Sequence, residues 1–236
     1  MSSGKSKLII GDGLLGSELV KQTEWNYISR KKDGIDFTDI DSYKNYLFGY
    51  DVVINCVAHC DTYSKDKEKH WNVNYKGVVE LVDYIVDKNI KLIHISSDYL
   101  YANSKSNVSE TDVPVHCENW YSYTKLLGDA YVQLKLDDYL IFRGTHKKKP
   151  FPFDGGLVNQ IGNFEYVDVV CQMMAELIDG GASGIYNIGT ELKTMYDLAK
   201  KTRNDVVPIN EKFYPTQPSD VSMDLTKIEE WRNENN

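Results

Sequence analysis

The sequence predicts an α/β fold, in which a doubly wound parallel sheet with helices on both faces is followed by a small C-terminal lobe. In residues 1–145, short apolar runs alternate with stretches of helical periodicity, and this alternation is typical of βαβ units. After Arg143 the periodicity weakens, and glycine, lysine and proline become frequent. A chain of 236 residues is long enough for one large domain and a small lobe.

Short apolar runs bounded by turn residues predict the strands, and helical spacing of apolar residues predicts the helices between them. The predicted strands are Lys7–Gly11, Asn26–Ser29, Ile35–Phe37, Asp51–Cys56, Lys91–Ser96 and Tyr139–Arg143. The predicted helices are Leu14–Gln22, a polar helix near Asp39–Phe48, Trp71–Lys88 and Glu118–Leu136. Ligands of such sheets bind at the carboxyl ends of the strands, so we expect functional residues in the segments that follow the strands.

Residues 146–236 are predicted to form a small, shortened lobe that is not fully independent of residues 1–145. The stretch 144–165 at its start shows little periodicity. Farther along, helices are predicted at Val167–Leu177 and Thr194–Arg203, with a strand at Gly184–Gly189 between them.

The charge balance argues against two classes of partner. The net charge is -8 and the pI is about 5.2, whereas general binding to nucleic acid or anionic membranes needs a basic face. No apolar run approaches the ~18 residues of a membrane span, and the first residues lack a signal-peptide core. The four cysteines form no C-x-x-C pair and no zinc set. We therefore expect a soluble, cytoplasmic protein with free thiols and no metal.

A glycine-rich turn follows the first predicted strand and opens the first predicted helix. Glycine permits a tight turn and lets backbone N–H groups approach a pyrophosphate at the helix N-terminus. The pattern is weak alone, but its place at the start of an alternating sheet predicts a Rossmann-type NAD(P)-binding domain. The turn consists of Gly11, Asp12, Gly13, Leu14, Leu15 and Gly16.

The end of the second strand bears on the choice of cofactor. An acidic residue there would bind the ribose 2′-hydroxyl of NAD, whereas a basic residue suits the 2′-phosphate of NADP. The sequence instead has Ser29–Lys32, with no acid before Asp33. Arg30 can pair with a phosphate, although the run also fits a solvated basic turn. We favour NADP(H) over NAD(H) and expect Asp36 and Phe37 near the adenine.

A Tyr-x-x-x-Lys pair on one helix face can perform acid–base chemistry, because the ammonium stabilises a phenolate. Only one pair in this chain begins the helix after the predicted strand Lys91–Ser96, and it follows the serine pair Ser96-Ser97. Position therefore selects Tyr121 and Lys125. The seven pairs in the sequence are Tyr27/Lys31, Tyr63/Lys67, Tyr84/Lys88, Tyr101/Lys105, Tyr121/Lys125, Tyr131/Lys135 and Tyr196/Lys200.

These segments resemble the extended short-chain dehydrogenases/reductases, and within them the dTDP-4-dehydrorhamnose reductases and related nucleotide-sugar 4-keto reductases. The stretches HISSDYLY and YSYTKLLGD are the specific ones, and GDGLLG is generic. The matching segments are GDGLLG (11–16), DVVINCVAH (51–59), WNVNYKG (71–77), KLIHISSDYLY (91–101), ENWYSYTKLLGD (118–129), YVDVV (166–170), GIYNIG (184–189) and PSDVSMDLTK (218–227).

The resemblance implies catalytic roles for three residues. Tyr121 is expected to protonate the reduced carbonyl oxygen, and Ser97 is expected to orient the substrate carbonyl. Lys125 is expected to hold the nicotinamide ribose and to lower the pKa of Tyr121. The implied function is NAD(P)H-dependent reduction of a 4-keto-6-deoxy nucleotide sugar, in which residues 1–145 bind the cofactor and residues 146–236 bind the substrate.

The resemblance also implies binding residues. Asp98 and Tyr99 are expected to face the sugar, and Asn74 to hold the local structure or a proton-relay water. His59 follows a strand near the expected substrate, where it could bind the sugar or its pyrophosphate, act as a second acid–base group, or be an ordinary loop residue. The residues expected to line the cofactor after the strand Asp51–Cys56 are Cys56, Val57 and Ala58.

Three departures from the family pattern concern specificity. The glycine turn is one residue tighter than G-x-x-G-x-x-G, and the region after Arg143 is shorter than in typical members. Asp98-Tyr99 replaces the Asp-Glu of the dehydratases, which argues against 4,6-dehydration. Two alternatives remain open: an epimerase or epimerase-reductase, and a non-catalytic NADP-binding regulatory subunit. A homodimer is expected from the superfamily.

Overall fold

The computed structural model describes residues 5–102, 104–114 and 119–235, so Glu118 of the predicted helix Glu118–Leu136 lies outside the described residues. Its strands in chain order are β1 (Lys7–Ile10), β2 (Asn26–Ile28), β3 (Val52–Asn55), β4 (Lys91–Ile95), β5 (Tyr139–Arg143), β6 (His146–Lys147), β7 (Gly155–Leu157), β8 (Ile161–Gly162), β9 (Glu165–Tyr166), β10 (Gly184–Asn187), β11 (Lys193–Thr194), β12 (Val207–Ile209) and β13 (Asp220–Val221).

The helices of the described ranges are α1 (Leu14–Thr23), α2 (Arg30–Asp33), α3 (Lys67–His70), α4 (Gly77–Ile85), α5 (Trp120–Lys135), α6 (Val167–Asp179), α7 (Met195–Lys200) and α8 (Thr226–Asn235). Short 3₁₀ turns occupy Ile40–Ser42, Lys44–Leu47 and Asp98–Tyr101, and a π-helix occupies Trp71–Lys76. No helix in this part of the chain combines the length and the apolar character needed to cross a membrane.

Six strands of the described residues form a parallel central sheet in the order β10-β5-β4-β3-β1-β2. The order reverses at β1, because β2 lies on one side of it and β3 on the other. Such a reversal opens a crevice at the carboxyl ends of the strands, where ligands bind in this class of sheet. The predicted doubly wound α/β fold is confirmed.

Two apolar layers cover the faces of the sheet. In β1, Ile9 packs toward α1 and α6, while Leu8 and Ile10 pack toward α4 and α5. Because both faces are covered, the strands read as continuous apolar runs rather than as alternating ones.

The predicted strand Ile35–Phe37 is wrong. Its apolar side chains are buried, but the segment pairs with no described strand. The backbone N–H of Asp36 instead donates to the Ser42 hydroxyl at 2.9 Å, and Phe37 packs against Gly77 of α4. The polar helix predicted near Asp39–Phe48 is likewise replaced by two 3₁₀ turns.

The region after residue 145 contributes to two parts of the molecule. Helix α6 packs on α1, and β10 pairs with β5, so both belong to the central layers. A smaller core surrounds Phe151, Phe164 and Leu198 beside the short strands β7, β8, β11, β12 and β13. The sheet thus takes strands from both sides of the predicted division at residue 145.

Candidate active site

The glycine turn lies at the carboxyl end of β1. Gly11 has φ +99°, and a Cβ on Gly16 would lie 2.0 Å from the Gly11 carbonyl oxygen, so neither position accepts a side chain without a shift. A Cβ on Gly13 would meet nothing within 4 Å. Helix α1 has no side-chain cap and no acidic residue in its first turn, so its N-terminal N–H groups are available to an anion.

The other residues of the turn support it. Leu15 is buried against the sheet, whereas Leu14 is exposed. The Asp12 carboxylate accepts a hydrogen bond from the Ser29 hydroxyl at 3.0 Å, which joins the turn to the end of β2.

The end of β2 presents a basic helical turn. Ser29 caps α2 by accepting a hydrogen bond from the Lys32 N–H. Arg30 is exposed, and its guanidinium lies 3.4 Å from the Asp36 carboxylate. Hydrogen bonds from Thr38 hold the pKa of Asp36 below its ordinary value, and the charge of Arg30 contributes in the same direction. Phe37 is buried, packed on Gly77 and Tyr43.

The segment after β3 runs beside the glycine turn. A Cβ on Gly11 would lie 2.9 Å from Val57, and one on Gly16 would lie 3.3 Å from the Cys56 Cβ. Burial raises the pKa of the Cys56 thiol, which is therefore neutral. Ala58 follows, half-buried, and its carbonyl oxygen lies 3.6 Å from the Cys60 sulphur.

Asn74 lies within the π-helix and holds His59. Its Oδ1 accepts the His59 N–H at 2.8 Å, and its Nδ2 donates to the His59 carbonyl at 3.2 Å. The His59 ring packs 4.4 Å from that of His70, which in turn contacts the Tyr121 ring at 6.3 Å. Burial lowers the pKa of both histidines, so both rings are neutral near pH 7.

Ser97, Asp98 and Tyr99 follow β4. Ser97 and Asp98 are buried. One oxygen of Asp98 accepts a hydrogen bond from Thr145 at 2.6 Å, and burial raises the pKa of Asp98 to about 6. The Tyr99 hydroxyl lies 3.3 Å from that of Tyr63 and accepts a hydrogen bond from the Gln160 side chain at 3.1 Å.

Tyr121 and Lys125 lie on the first turns of α5, which Asn119 caps by accepting the Ser122 N–H. Burial raises the pKa of Tyr121, and the interaction with the Ser97 side chain partly opposes this rise. Burial lowers the pKa of Lys125 to about 8, and its Nζ donates a hydrogen bond to the Ile95 carbonyl at the end of β4. The structure thus brings Ser97, Tyr121 and Lys125 to one end of one strand.

The pKa of Tyr121 is raised in this structure, whereas Lys125 was expected to lower it. In this structure the phenol is a weaker acid than free tyrosine, because burial outweighs the other influences on it. The phenol therefore keeps its proton at neutral pH, but the raised pKa makes it a weaker proton donor than a group whose pKa lies near the working pH.

Local sequence patterns do not select His70 or Tyr63 as site residues, and they place Lys147 only within the basic run Lys147–Lys149, which fits either a diphosphate contact or a solvated loop. His70 is fully buried against His59, and Lys147 is the cation that acts on the Asp98 carboxylate. Nothing in their local spacing signals this, because the contacts join segments far apart in the chain. Among the described residues, no group of three or more His, Cys, Asp and Glu is arranged to hold a metal ion.

The family model of the RmlD substrate binding domain matches residues 7–146, which is more than half of the chain. The chain belongs to this family. The resemblance seen in the sequence is thereby confirmed.

Two curated relatives carry the name dTDP-4-dehydrorhamnose reductase. The protein of Mycolicibacterium smegmatis is 27% identical over 201 residues, and the match covers 76% of this chain and 62% of the relative. That of Aggregatibacter actinomycetemcomitans is 26% identical over 234 residues, covering 82% of this chain and 78% of the relative. The chain therefore spans less than two thirds of the length of the first relative.

Solved structures share the fold across nearly the whole chain. The dTDP-4-dehydrorhamnose reductase of Bacillus anthracis, in complex with NADP, superposes with a TM-score of 0.81 at 20% identity, covering 97% of this chain and 92% of its own. The Bordetella bronchiseptica enzyme WbmH, in complex with NAD⁺, gives a TM-score of 0.78 at 13% identity, covering 94% and 90%. Both cofactors thus occur among proteins of this fold.

Proposed function

We propose that this protein is an NADPH-dependent reductase of a 4-keto-6-deoxy nucleotide sugar, with the activity that its relatives' name, dTDP-4-dehydrorhamnose reductase, describes. The observation that carries the proposal is the convergence of Ser97, Tyr121 and Lys125 at the end of β4. A protonated phenol, a hydroxyl and a buried amine meet there, next to the segment that borders the glycine turn.

The residues present fit a dinucleotide. The uncapped N-terminus of α1 and the open side of Gly13 leave room for a pyrophosphate at the backbone. When bound, the nicotinamide supplies the hydride that reduces the carbonyl carbon. The residues that would line the cofactor are Gly11, Asp12, Gly13, Leu14, Leu15, Gly16, Ser29, Arg30, Asp36, Phe37, Cys56, Val57, Ala58, Asn74, Tyr121 and Lys125.

The side chains of the site would manage the proton and the substrate. Tyr121 gives its proton to the carbonyl oxygen as that oxygen becomes negative, and Ser97 donates a hydrogen bond to the same oxygen. The ammonium of Lys125 then stabilises the phenolate that remains. Asp98 and Tyr99 would lie against the sugar, with His59 at its edge.

Arg30 supports the choice of NADP over NAD. Its exposed guanidinium stands at the end of β2, where the adenine ribose lies in this fold. A bidentate pair with a 2′-phosphate is among the stronger ionic hydrogen bonds. We therefore expect the Kd of NADPH to be lower than that of NADH.

The test is NADPH oxidation with dTDP-4-dehydrorhamnose, comparing wild type with Tyr121→Phe. We expect the substitution to reduce kcat at least about 100-fold while NADPH binding persists, because only the proton donor is removed. Tyr131→Phe is the matched control: Tyr131 and Lys135 form the same sequence pair on the same helix, but the Tyr131 hydroxyl donates to Asp83 on the surface. Full activity of Tyr121→Phe would refute the assigned role.

The same assay separates the alternatives. NADPH binding without oxidation across a panel of nucleotide 4-keto sugars would favour the regulatory subunit. An epimerised product, identified by NMR, would favour the epimerase-reductase. That alternative would require His59 or another second acid–base group, and the Nε2 atom of His59 is buried without a hydrogen-bond partner in the described structure.

A further inference from the structure

A chain of side-chain contacts leads from Tyr121 to the segment after β5. The Ser97 hydroxyl interacts with the Tyr121 phenol and donates a hydrogen bond to Asp98 Oδ1 at 3.4 Å. The same Asp98 oxygen accepts a hydrogen bond from the Thr145 hydroxyl at 2.6 Å. Ser97 and Asp98 are buried, whereas Thr145 is partly exposed. The contacts therefore connect the phenol with a hydroxyl-bearing residue that solvent can reach.

The proposed reaction leaves Tyr121 without its proton after each reduction, and the phenol must regain one before the next substrate can be reduced. Lys125 is poorly placed to supply this proton. Its side chain is buried, and its Nζ donates to the Ile95 carbonyl. If Lys125 gave up a proton, it would also lose the charge that stabilises the phenolate. A proton source that solvent can recharge is therefore needed elsewhere.

The Asp98 carboxyl can carry that proton. Its Oδ2 atom has no hydrogen-bond partner in the described structure, so the ionised form is poorly stabilised. Burial raises the pKa of Asp98 to about 6, although the Thr145 hydrogen bond and the charge of Lys147 oppose the rise. About a tenth of the carboxyl groups are then protonated at pH 7. The pKa of Tyr121 is far higher, so transfer of a proton from the carboxyl to the phenolate is downhill.

We infer that Ser97, Asp98 and Thr145 relay a proton from solvent back to the tyrosine after each reduction. The inference rests on the proposed function. The Tyr121 phenolate takes the proton of the Ser97 hydroxyl while the Ser97 oxygen takes the proton of the Asp98 carboxyl. One O–H bond forms at Tyr121, one breaks at Asp98, and Ser97 ends unchanged. The Asp98 carboxylate then regains a proton from water through the Thr145 hydroxyl.

The test separates one turnover from many. Tyr121 begins protonated, so the first reduction by each protein molecule does not need the relay, whereas every later one does. Stopped-flow NADPH oxidation with saturating dTDP-4-dehydrorhamnose gives the single-turnover rate when the protein is in excess of NADPH. The same assay gives kcat when NADPH is in excess of the protein.

Two variants interrupt the relay at different places. Asp98→Asn preserves the shape of the side chain but removes its acidic proton, and Thr145→Val preserves the branched shape but removes the hydroxyl. We expect each variant to lower kcat at least about tenfold and to retain the single-turnover rate of wild type. A role of Asp98 that is only structural, or only a contact with the sugar, would slow both measurements together.

Two matched controls lie outside the relay. Asp87→Asn removes an exposed carboxylate after α4. Thr23→Val removes a half-buried hydroxyl that donates to the Leu19 carbonyl within α1. Both controls are expected to retain the wild-type single-turnover rate and the wild-type kcat.

The outcomes distinguish the relay from the proposed function. Equal slowing of the single turnover and of kcat in Asp98→Asn would overturn the relay, and so would an unchanged kcat in both relay variants. In either case an active wild-type protein would leave the reductase proposal standing. A wild-type protein that oxidises no NADPH with this substrate would instead refute the proposed function, and the relay with it.

Discussion

The Asp98 carboxyl group is buried, although only one of its two oxygens is hydrogen-bonded. Its residue is fully buried, Oδ1 accepts a hydrogen bond from Thr145, and Oδ2 has no hydrogen-bond partner in the described structure. Burial disfavours the charged form and raises the pKa of Asp98 from 3.8 to about 6. Ionisation of Asp98 therefore lowers the free energy of unfolding, and the size of this effect depends on the burial of this one carboxyl group.

This cost predicts a pH-dependent effect of Asp98→Asn. Because the folded-state pKa lies above the unfolded one, the native state binds the extra proton between pH 4 and 6, and wild-type stability falls over that window as the pH rises. The variant has no carboxyl group at position 98, so its stability does not fall for this reason as the pH rises. Its unfolding free energy relative to wild type should therefore increase by about 2–3 kcal/mol between pH 4 and 7.

Urea unfolding at several pH values measures the difference. Asp87→Asn, at an exposed position after α4, controls for the loss of one negative charge. A difference between Asp98→Asn and wild type that stays constant from pH 4 to 7 would contradict the assignment.

At this scale, position in the chain identified some site residues and missed others. Tyr121 could be selected among seven pairs because helix α5 had to begin near the end of a predicted strand. His70 could not be selected, because its place beside the site depends on its contact with His59. The pKa of Tyr121 was expected to fall through Lys125, and burial of the phenol raises it instead.

Helix α1 and the turn before it act as one element. Gly11 and Gly16 bring the turn and the helix into backbone contact, whereas Gly13 faces open space. The three glycines of the motif therefore have different physical functions: two are needed for packing, and one is needed for access to the N-terminus of α1.

We predict that Gly16→Ala and Gly13→Ala separate these functions. Gly16→Ala should lower the unfolding free energy by about 1–3 kcal/mol, because its Cβ would overlap the Gly11 carbonyl. Gly13→Ala should change it by less than about 1 kcal/mol, yet raise the Kd of NADPH, because the methyl group occupies the space open to a pyrophosphate. Chemical denaturation and NADPH titration provide the two measurements. Equal losses of unfolding free energy in both variants would argue against separate functions for Gly16 and Gly13.

Elements with a strong period were predicted closely, and irregular ones were not. The helix predicted at Trp71–Lys88 exists, but it begins earlier, at α3, and includes the π-helix that contains Asn74. π-Helical turns recur at functional sites, but the spacing of apolar residues does not predict where they occur. Ile35–Phe37 was mistaken for a strand because burial of apolar residues alone does not show whether the backbone pairs with a sheet.

At the scale of the whole molecule, a buried ionic network joins distant segments. Arg143 of β5 binds the Asp129 carboxylate of α5 through two hydrogen bonds of 3.0 and 2.9 Å. It also donates to the Tyr101 hydroxyl, which donates to Asn187 of β10. The network thus connects the helix that carries Tyr121 with the sixth strand of the sheet.

We predict that Asp129→Asn lowers the unfolding free energy by about 3–5 kcal/mol, because it leaves the Arg143 guanidinium buried without its counter-charge. Asp205→Asn removes a partner of Arg203 on the surface, where solvent screens the pair and the loss of stability should be much smaller. Urea denaturation of the two variants compares them directly. Similar losses would show that the buried network does not stabilise the fold beyond an ordinary surface pair.

The pairing of β10 with β5 has a consequence for synthesis. While the ribosome is still adding residues 146–183, every residue of the proposed catalytic set has already been made, yet the outer edge of β5 has no neighbour. That edge belongs to the apolar strand Tyr139–Arg143, and an unpaired apolar edge is a template for association with other chains. The nascent protein therefore exposes the edge of β5 until β10, which becomes the new edge strand, has been made.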